Sequence, residues 1–167
     1  MENELVNRPS KTLEKILLSI IKWGAYLSLL TPLIIADDFF YSFVVPKTIY
    51  FRVIVEIIFA AYLILILSFP RYRPKINALS IAIFIFVLIS IITSVLGVDF
   101  QRSFWSVYER ETGLFTLFHL YAFFIVLSNI FKEKKDWEKL LFISVAIGII
   151  CSLGVVAAGS VARGGEP

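Results

Sequence analysis

Apolar residues run through this chain in long uncharged stretches, not in the short alternations of a soluble core. Positions 76–98 make 23 residues without Asp, Glu, Lys or Arg, and so do positions 140–162. An α-helix rises 1.5 Å per residue, so about 20 residues cross a hydrocarbon layer about 30 Å thick. Three further stretches have the same character: 16–36, interrupted by Lys22; 48–69, carrying Arg52 and Glu56; and 114–131, containing His119. None reads as the short apolar–polar alternation of a barrel strand. The pattern predicts an all-α integral membrane protein with about five transmembrane helices, at 16–36, 48–69, 76–96, 114–131 and 140–162. A segment 1–15 precedes them and a tail 163–167 follows.

Punctuation between the stretches agrees with turns. Ser10 after Pro9 reads as a helix cap, Pro46 as the start of the second span, and Pro70 as its stop. Gly97 closes the third span and Gly113 opens the fourth. The first span reads as an uncleaved anchor. It is long for a signal peptide, Lys22 interrupts it, and Ile35-Ala36-Asp37-Asp38 is a poor cleavage site. From Gly159 onward the residues turn small and polar, which predicts an abrupt end to the fifth helix and a chain that stops early.

Lys and Arg in the links set orientation. One side of the membrane receives ten: Arg8, Lys11, Lys15, Arg71, Arg73, Lys75, Lys132, Lys134, Lys135 and Lys139. The other receives four: Lys47, Arg102, Arg110 and Arg163. The expectation is a multi-pass protein with a cytoplasmic N-terminus and outward links at 37–47 and 97–113.

Composition removes other classes. Of 167 residues, 59% are hydrophobic and 17% charged, with a mean hydropathy of +0.86. Soluble domains are about 45–50% apolar and about 25% charged, and disorder needs low hydrophobicity, so neither fits. The net charge of +3 is explained by topology and implies no nucleic acid; the expected partner is membrane lipid. A single cysteine, Cys151, and a single histidine, His119, supply neither an internal disulfide nor a zinc site. No cofactor or metal is implied. There is no glycine-rich phosphate loop, HExxH, GxSxG or CxxC.

The candidate chemistry lies in and beside the outward links. The first link, from Asp37 to Lys47, is rich in Phe and Tyr. It reads as an interfacial aromatic belt or as a lip for a lipid-linked substrate. The second repeats Phe100, Phe104, Val107 and Tyr108 at helical spacing beside Trp105. This predicts a short amphipathic, outward-facing helix with Arg102 and Ser106 on its polar side. Arg52 and Glu56 stand one turn apart inside a span, where an ionisable group costs about 2.5–3.5 kcal/mol on insertion scales. They read either as a self-contained i, i+4 pair or as a phosphate-holding arginine oriented by a carboxylate. His119 reads as an interhelical hydrogen-bonding group, with no carboxylate at fixed spacing to make it a base.

Phe43-Val44-Val45-Pro46-Lys47 leading to Tyr50-Phe51-Arg52 and Glu56 resembles the start of bacterial O-antigen ligase family proteins. The run from Asp99 through Ser103-Phe104-Trp105 and Glu109-Arg110 to Gly113 is similar to that family's outward D-x-x-x-SFW-x-x-x-ER-x-x-G pattern. The resemblance covers roughly residues 30 to 150. It implies the N-terminal portion of an O-antigen ligase or polymerase-like glycosyltransferase, sited in the bacterial inner (plasma) membrane. Such enzymes transfer glycan from a polyprenyl-pyrophosphate carrier at that membrane's outer face. The family's catalytic arginines and histidine lie beyond residue 167, so no catalytic residue is carried over and His119 is not its histidine. The candidate substrate-binding residues are Arg52, Glu56, Arg102 and Arg110. The alternative is a small non-enzymatic five-span protein acting by helix association or transport.

Overall fold

The computed structural model describes residues 2–34, 44–74, 77–106 and 113–164, and among these it contains helices and turns but no strand. Six α-helices follow in order: α1 (Glu2–Ser28), α2 (Val45–Ser68), α3 (Ala78–Leu96), α4 (Phe100–Trp105), α5 (Leu114–Ile130) and α6 (Lys134–Gly164). Three described helices are long and apolar enough to cross a membrane: α2, α3 and the stretch Lys134–Val156 of α6. These mark the chain as a membrane protein.

The first predicted span is corrected. The expected unbroken helix over 16–36 ends at Ser28, and a 3-10 turn follows at Thr31–Leu33. Pro32 has no N–H to continue the ladder, and its ring crowds the preceding turn. The Ser28 hydroxyl donates to the Ala25 carbonyl (2.8 Å) and the Thr31 hydroxyl to the Ser28 carbonyl, so side chains occupy the terminal acceptors. The apolar part of α1 is therefore too short to rank with the three long helices. The expected helix start at Ser10 is corrected, because α1 begins at Glu2 and runs on through Pro9 and Ser10. The fourth predicted span is α5, an apolar helix of 17 residues, about 25 Å long at 1.5 Å per residue.

Other boundaries follow their residues. Pro46 sits in the first turn of α2, where no N–H is required, and Pro70 opens a 3-10 turn just past its end. Gly97 caps the end of α3 and Gly113 the start of α5. The last helix begins before the predicted residue 140 and extends past the predicted break at Gly159. Asp136 lies in its first turn, where a carboxylate suits the helix dipole, and Lys134 meets Glu138 one turn on at 3.5 Å.

Leu17, Ile21 and Ala25 form one stripe of α1. Ile54, Ile58, Ala61, Tyr62 and Leu65 form one stripe of α2. Spacings of three and four put each set on one helix face. The two stripes close on each other and on Val126, Ile130 and Phe131 at the end of α5, with Leu140 from α6. α1 and α2 run antiparallel: the Tyr50 hydroxyl donates to the Leu27 carbonyl (3.0 Å) near one end, and the Tyr72 hydroxyl donates to Glu14 (2.6 Å) near the other. Gly24 permits the approach, since a Cβ there would stand 3.3 Å from Ile58 Cγ1. α2 and α5 run parallel, because Arg52 meets Thr116 and Glu56, four residues later, meets His119.

Two charges of α1, Lys22 and Glu14, are paired across the bundle. Lys22, the interruption in the first apolar stretch, donates to Asp136 of α6 at 2.7 Å. Arg71 pairs with Glu14 and lies over the Tyr72 ring (4.8 Å to the centroid), while Lys132 approaches the same ring at 6.0 Å. These contacts tie the middle of α1 to the α2–α3 and α5–α6 links. Only α2 buries much of its apolar window, 28%, against 6% for α3 and for α6. Most of the apolar surface of those two helices is left for lipid or further helices to cover.

Candidate functional site at the α4 end of the bundle

Phe115, in the first turn of α5, is the hub of this end. Its ring is 5.1 Å from Trp105 and 6.0 Å from Phe104 of α4, and 4.6 Å from His119 one turn below. The Arg52 guanidinium lies over it, 4.9 Å from the centroid. Arg52 Nη2 also donates to the Thr116 hydroxyl at 2.7 Å. A planar cation laid on an aromatic face and hydrogen-bonded to Thr116 joins the two helices.

α4 is a capped helix of six residues. The Asp99 carboxylate accepts from the Arg102 backbone N–H at 3.0 Å, and the Ser103 hydroxyl donates to the Asp99 carbonyl at 3.0 Å. The predicted short helix between the third and fourth apolar helices is therefore present. It is shorter than the aromatic spacing suggested, because it stops at Trp105. Ser106 ends it with φ of 69° and ψ of −174°. That region is essentially a glycine region and costs a residue with a side chain about 1–3 kcal/mol. The chain accepts it where the backbone at the end of α4 lies directly against Gly113. Arg102 is exposed on α4. Arg110, together with Val107, Tyr108 and most of the first aromatic link, lies outside the described residues.

Arg52 and Glu56 do not pair with each other. Arg52 turns toward Thr116 and Phe115, and Glu56 toward His119, whose Nε2 is 3.2 Å from Glu56 Oε1. A carboxylate one turn along the same helix thus gives way to partners on the neighbouring helix. His119 is buried, and its Nδ1 is 2.8 Å from the Phe115 carbonyl oxygen. Glu56 and His119 line an apolar cleft of about 330 Å³ with Val55, Phe59, Phe118, Tyr121, Ala122 and Ile125.

Of the four candidate residues, Arg52 and Glu56 are brought to the same α2–α5 seam and Arg102 stands on the adjoining short helix. The interhelical role expected of His119 is observed, but the carboxylate that meets it was missed. The available signal was depth: both residues lie a few turns from the same-side ends of helices that run in the same direction. No protein-family model, curated protein or solved structure matches the chain.

Proposed function

We propose that this chain is the N-terminal membrane part of an O-antigen ligase or polymerase-like glycosyltransferase, with its N-terminus in the cytoplasm of a bacterium and its helices in the inner membrane. In this reading α1 with the 3-10 turn after it, and the short α5, also cross the bilayer. That makes five crossings, with α4 lying on the outer surface. The observation that carries the reading is the Arg52–Phe115–α4 cluster. It sets an arginine at the same end of the bundle as a short aromatic helix bearing the exposed Arg102, within the two stretches that resemble the family. A pyrophosphate leaving group needs positive charge positioned before reaction, and guanidinium groups match phosphate geometry. The transferred glycan would come from a polyprenyl-pyrophosphate donor held at this face.

Orientation is tested by reporter fusions. Fusions after Pro74 and after Lys135 are expected to report the cytoplasm, and fusions after Ser42 and after Ser106 the outer compartment. The charge asymmetry of the links motivates this. Reversal at two of the four sites rejects the five-crossing arrangement.

Function is tested in the complete protein that carries this region. Arg102→Ala and Arg110→Ala each remove a charge-assisted phosphate contact worth about 1.5–3 kcal/mol, which is roughly ten- to a hundredfold in binding. Glycan transfer should fall by that factor at unchanged membrane abundance. Lys134→Ala, at the opposite end of the bundle, should leave transfer unchanged. Arg102 is the cleaner probe, because Arg52 also joins α2 to α5 and Arg52→Ala loosens the bundle as well. Unchanged transfer in both Arg102→Ala and Arg110→Ala assigns this end to scaffold alone.

A further inference from the structure

Glu56 is the twelfth residue of the 24-residue α2, about 17 Å from either end of the helix at 1.5 Å per residue. It stands beside His119, one turn below the Phe115 that packs on α4, and so lies inside the apolar length of α2. A carboxyl group at that depth is held neutral or given a partner. Its described partner is His119, and the hydrogen-bond geometry fixes how many protons the two must share.

The Phe115 carbonyl has no hydrogen to give. The 2.8 Å contact therefore places a hydrogen on His119 Nδ1, which donates. In the neutral imidazole of that tautomer Nε2 is a bare lone pair. It stands 3.2 Å from Glu56 Oε1, and an ionised carboxylate is also only an acceptor. Two acceptors do not hold each other at that distance inside a low-dielectric bundle. A second hydrogen lies on the line between them. It belongs either to a neutral carboxylic acid donating to imidazole or to an imidazolium donating to carboxylate. The two forms contain the same atoms and differ only by movement of one proton along the contact.

The neighbouring charged groups are engaged by other partners. Arg52 stands one turn away with its guanidinium on Phe115 and Thr116, and Tyr121 lines the same cleft. From α1, Glu14 and Lys22 are engaged by Arg71 and Asp136. The sequence of α3 contains no titratable residue. His119 is buried, with 10% of its side chain exposed, whereas 64% of the Glu56 side chain is exposed. The pair thus has one face closed by protein and one open along the cleft.

We propose that Glu56 and His119 form a proton-binding site within the membrane-spanning bundle, holding one exchangeable proton between Oε1 and Nε2, so that the α2–α5 contact at this depth depends on that proton. Removing it leaves a carboxylate facing a lone pair, and the contact opens. The inference does not depend on which reaction the whole protein performs.

The chain has one histidine, so ¹⁵N-histidine labelling of the full chain in lipid nanodiscs gives the two ring signals of His119 and no others. Near neutral pH the expected spectrum shows a protonated Nδ1 and an Nε2 whose signal moves in Glu56→Gln. The proton is then located by the infrared difference between wild type and Glu56→Gln. A carboxylic acid C=O band with a neutral ring supports the proposal, and so does a doubly protonated ring with a carboxylate band. A neutral ring together with an ionised Glu56 in the same sample overturns it. So does a ring with bare Nδ1, or an Nε2 signal indifferent to Glu56→Gln. The wild-type spectrum alone decides the ring's protonation, and where Glu56→Gln fails to insert, Glu56→Asp takes its place in the infrared difference, because its carboxyl band is displaced from that of the wild type.

Discussion

Gly113→Ala should detach α4 from α5. A Cβ at this position would meet the Ser106 nitrogen and the Trp105 carbonyl carbon at 2.8 Å each, and it would also run into the Phe104 carbonyl oxygen. All three are backbone atoms, so no side chain can swing aside. The φ of Gly113 is −69°, which alanine adopts freely, so the whole effect comes from the collision. Forcing a methyl group into a closed contact costs about 1–3 kcal/mol. Here the cheapest relief is to move α4 outward, which also opens the Phe115 contacts to Phe104 and Trp105. Hydrogen exchange of the Ser103 and Ser106 amides, which bond to Asp99 and Arg102 within α4, should speed up in the variant. Gly97→Ala is the comparison, since its Cβ would stand 3.2 Å from the nearest atom, the Thr93 carbonyl oxygen. It should be clearly milder. Equal exchange rates in Gly113→Ala and wild type would show that the two backbones do not touch.

That collision illustrates what the sequence makes legible and what it does not. The proline and glycine at each end of the apolar stretches marked helix boundaries, because their effects are local: a missing N–H at Pro46 and Pro70, a missing side chain at Gly97 and Gly113. The same local logic, applied to Pro32, argues against an unbroken helix over 16–36. Hydropathy alone masked it, because Leu29, Leu30, Leu33 and Ile34 around the proline are apolar. Partner choice was less legible, because it depends on which helices become neighbours. Arg52 and Glu56 at i, i+4 invite a pair within α2. Once α2 and α5 lie parallel, Thr116 and Phe115 take the arginine and His119 takes the carboxylate. Spacing within one helix says nothing of a residue 63 positions away. The short helix after Asp99 was legible from its aromatic spacing. The backbone contact that ends it at Ser106 was not, since it depends on where Gly113 arrives.

Lys22 shows the same dependence on neighbours, and it carries the second large effect. By sequence it is a lone charge in an apolar stretch. In the fold it donates to Asp136 at 2.7 Å, with 12% of the aspartate side chain and 36% of the lysine side chain exposed. Asp136→Leu leaves the ammonium group partly buried without this partner. Breaking a fully buried pair costs about 3–5 kcal/mol. The half-open lysine end reduces this through solvent screening, to about 1–3 kcal/mol. Lys22→Met with Asp136→Leu removes both charges together. Exchanging a buried pair for apolar residues of similar size is often neutral or stabilising. The double variant should therefore recover most of what Asp136→Leu loses. The thermal midpoints of wild type, Asp136→Leu, Lys22→Met and the double variant in one detergent form the cycle. A double variant as unstable as the worse single variant would mean that the charges hold α6 to α1 by something apolar packing cannot replace. Midpoints that simply add would remove the pair as the link between the two helices.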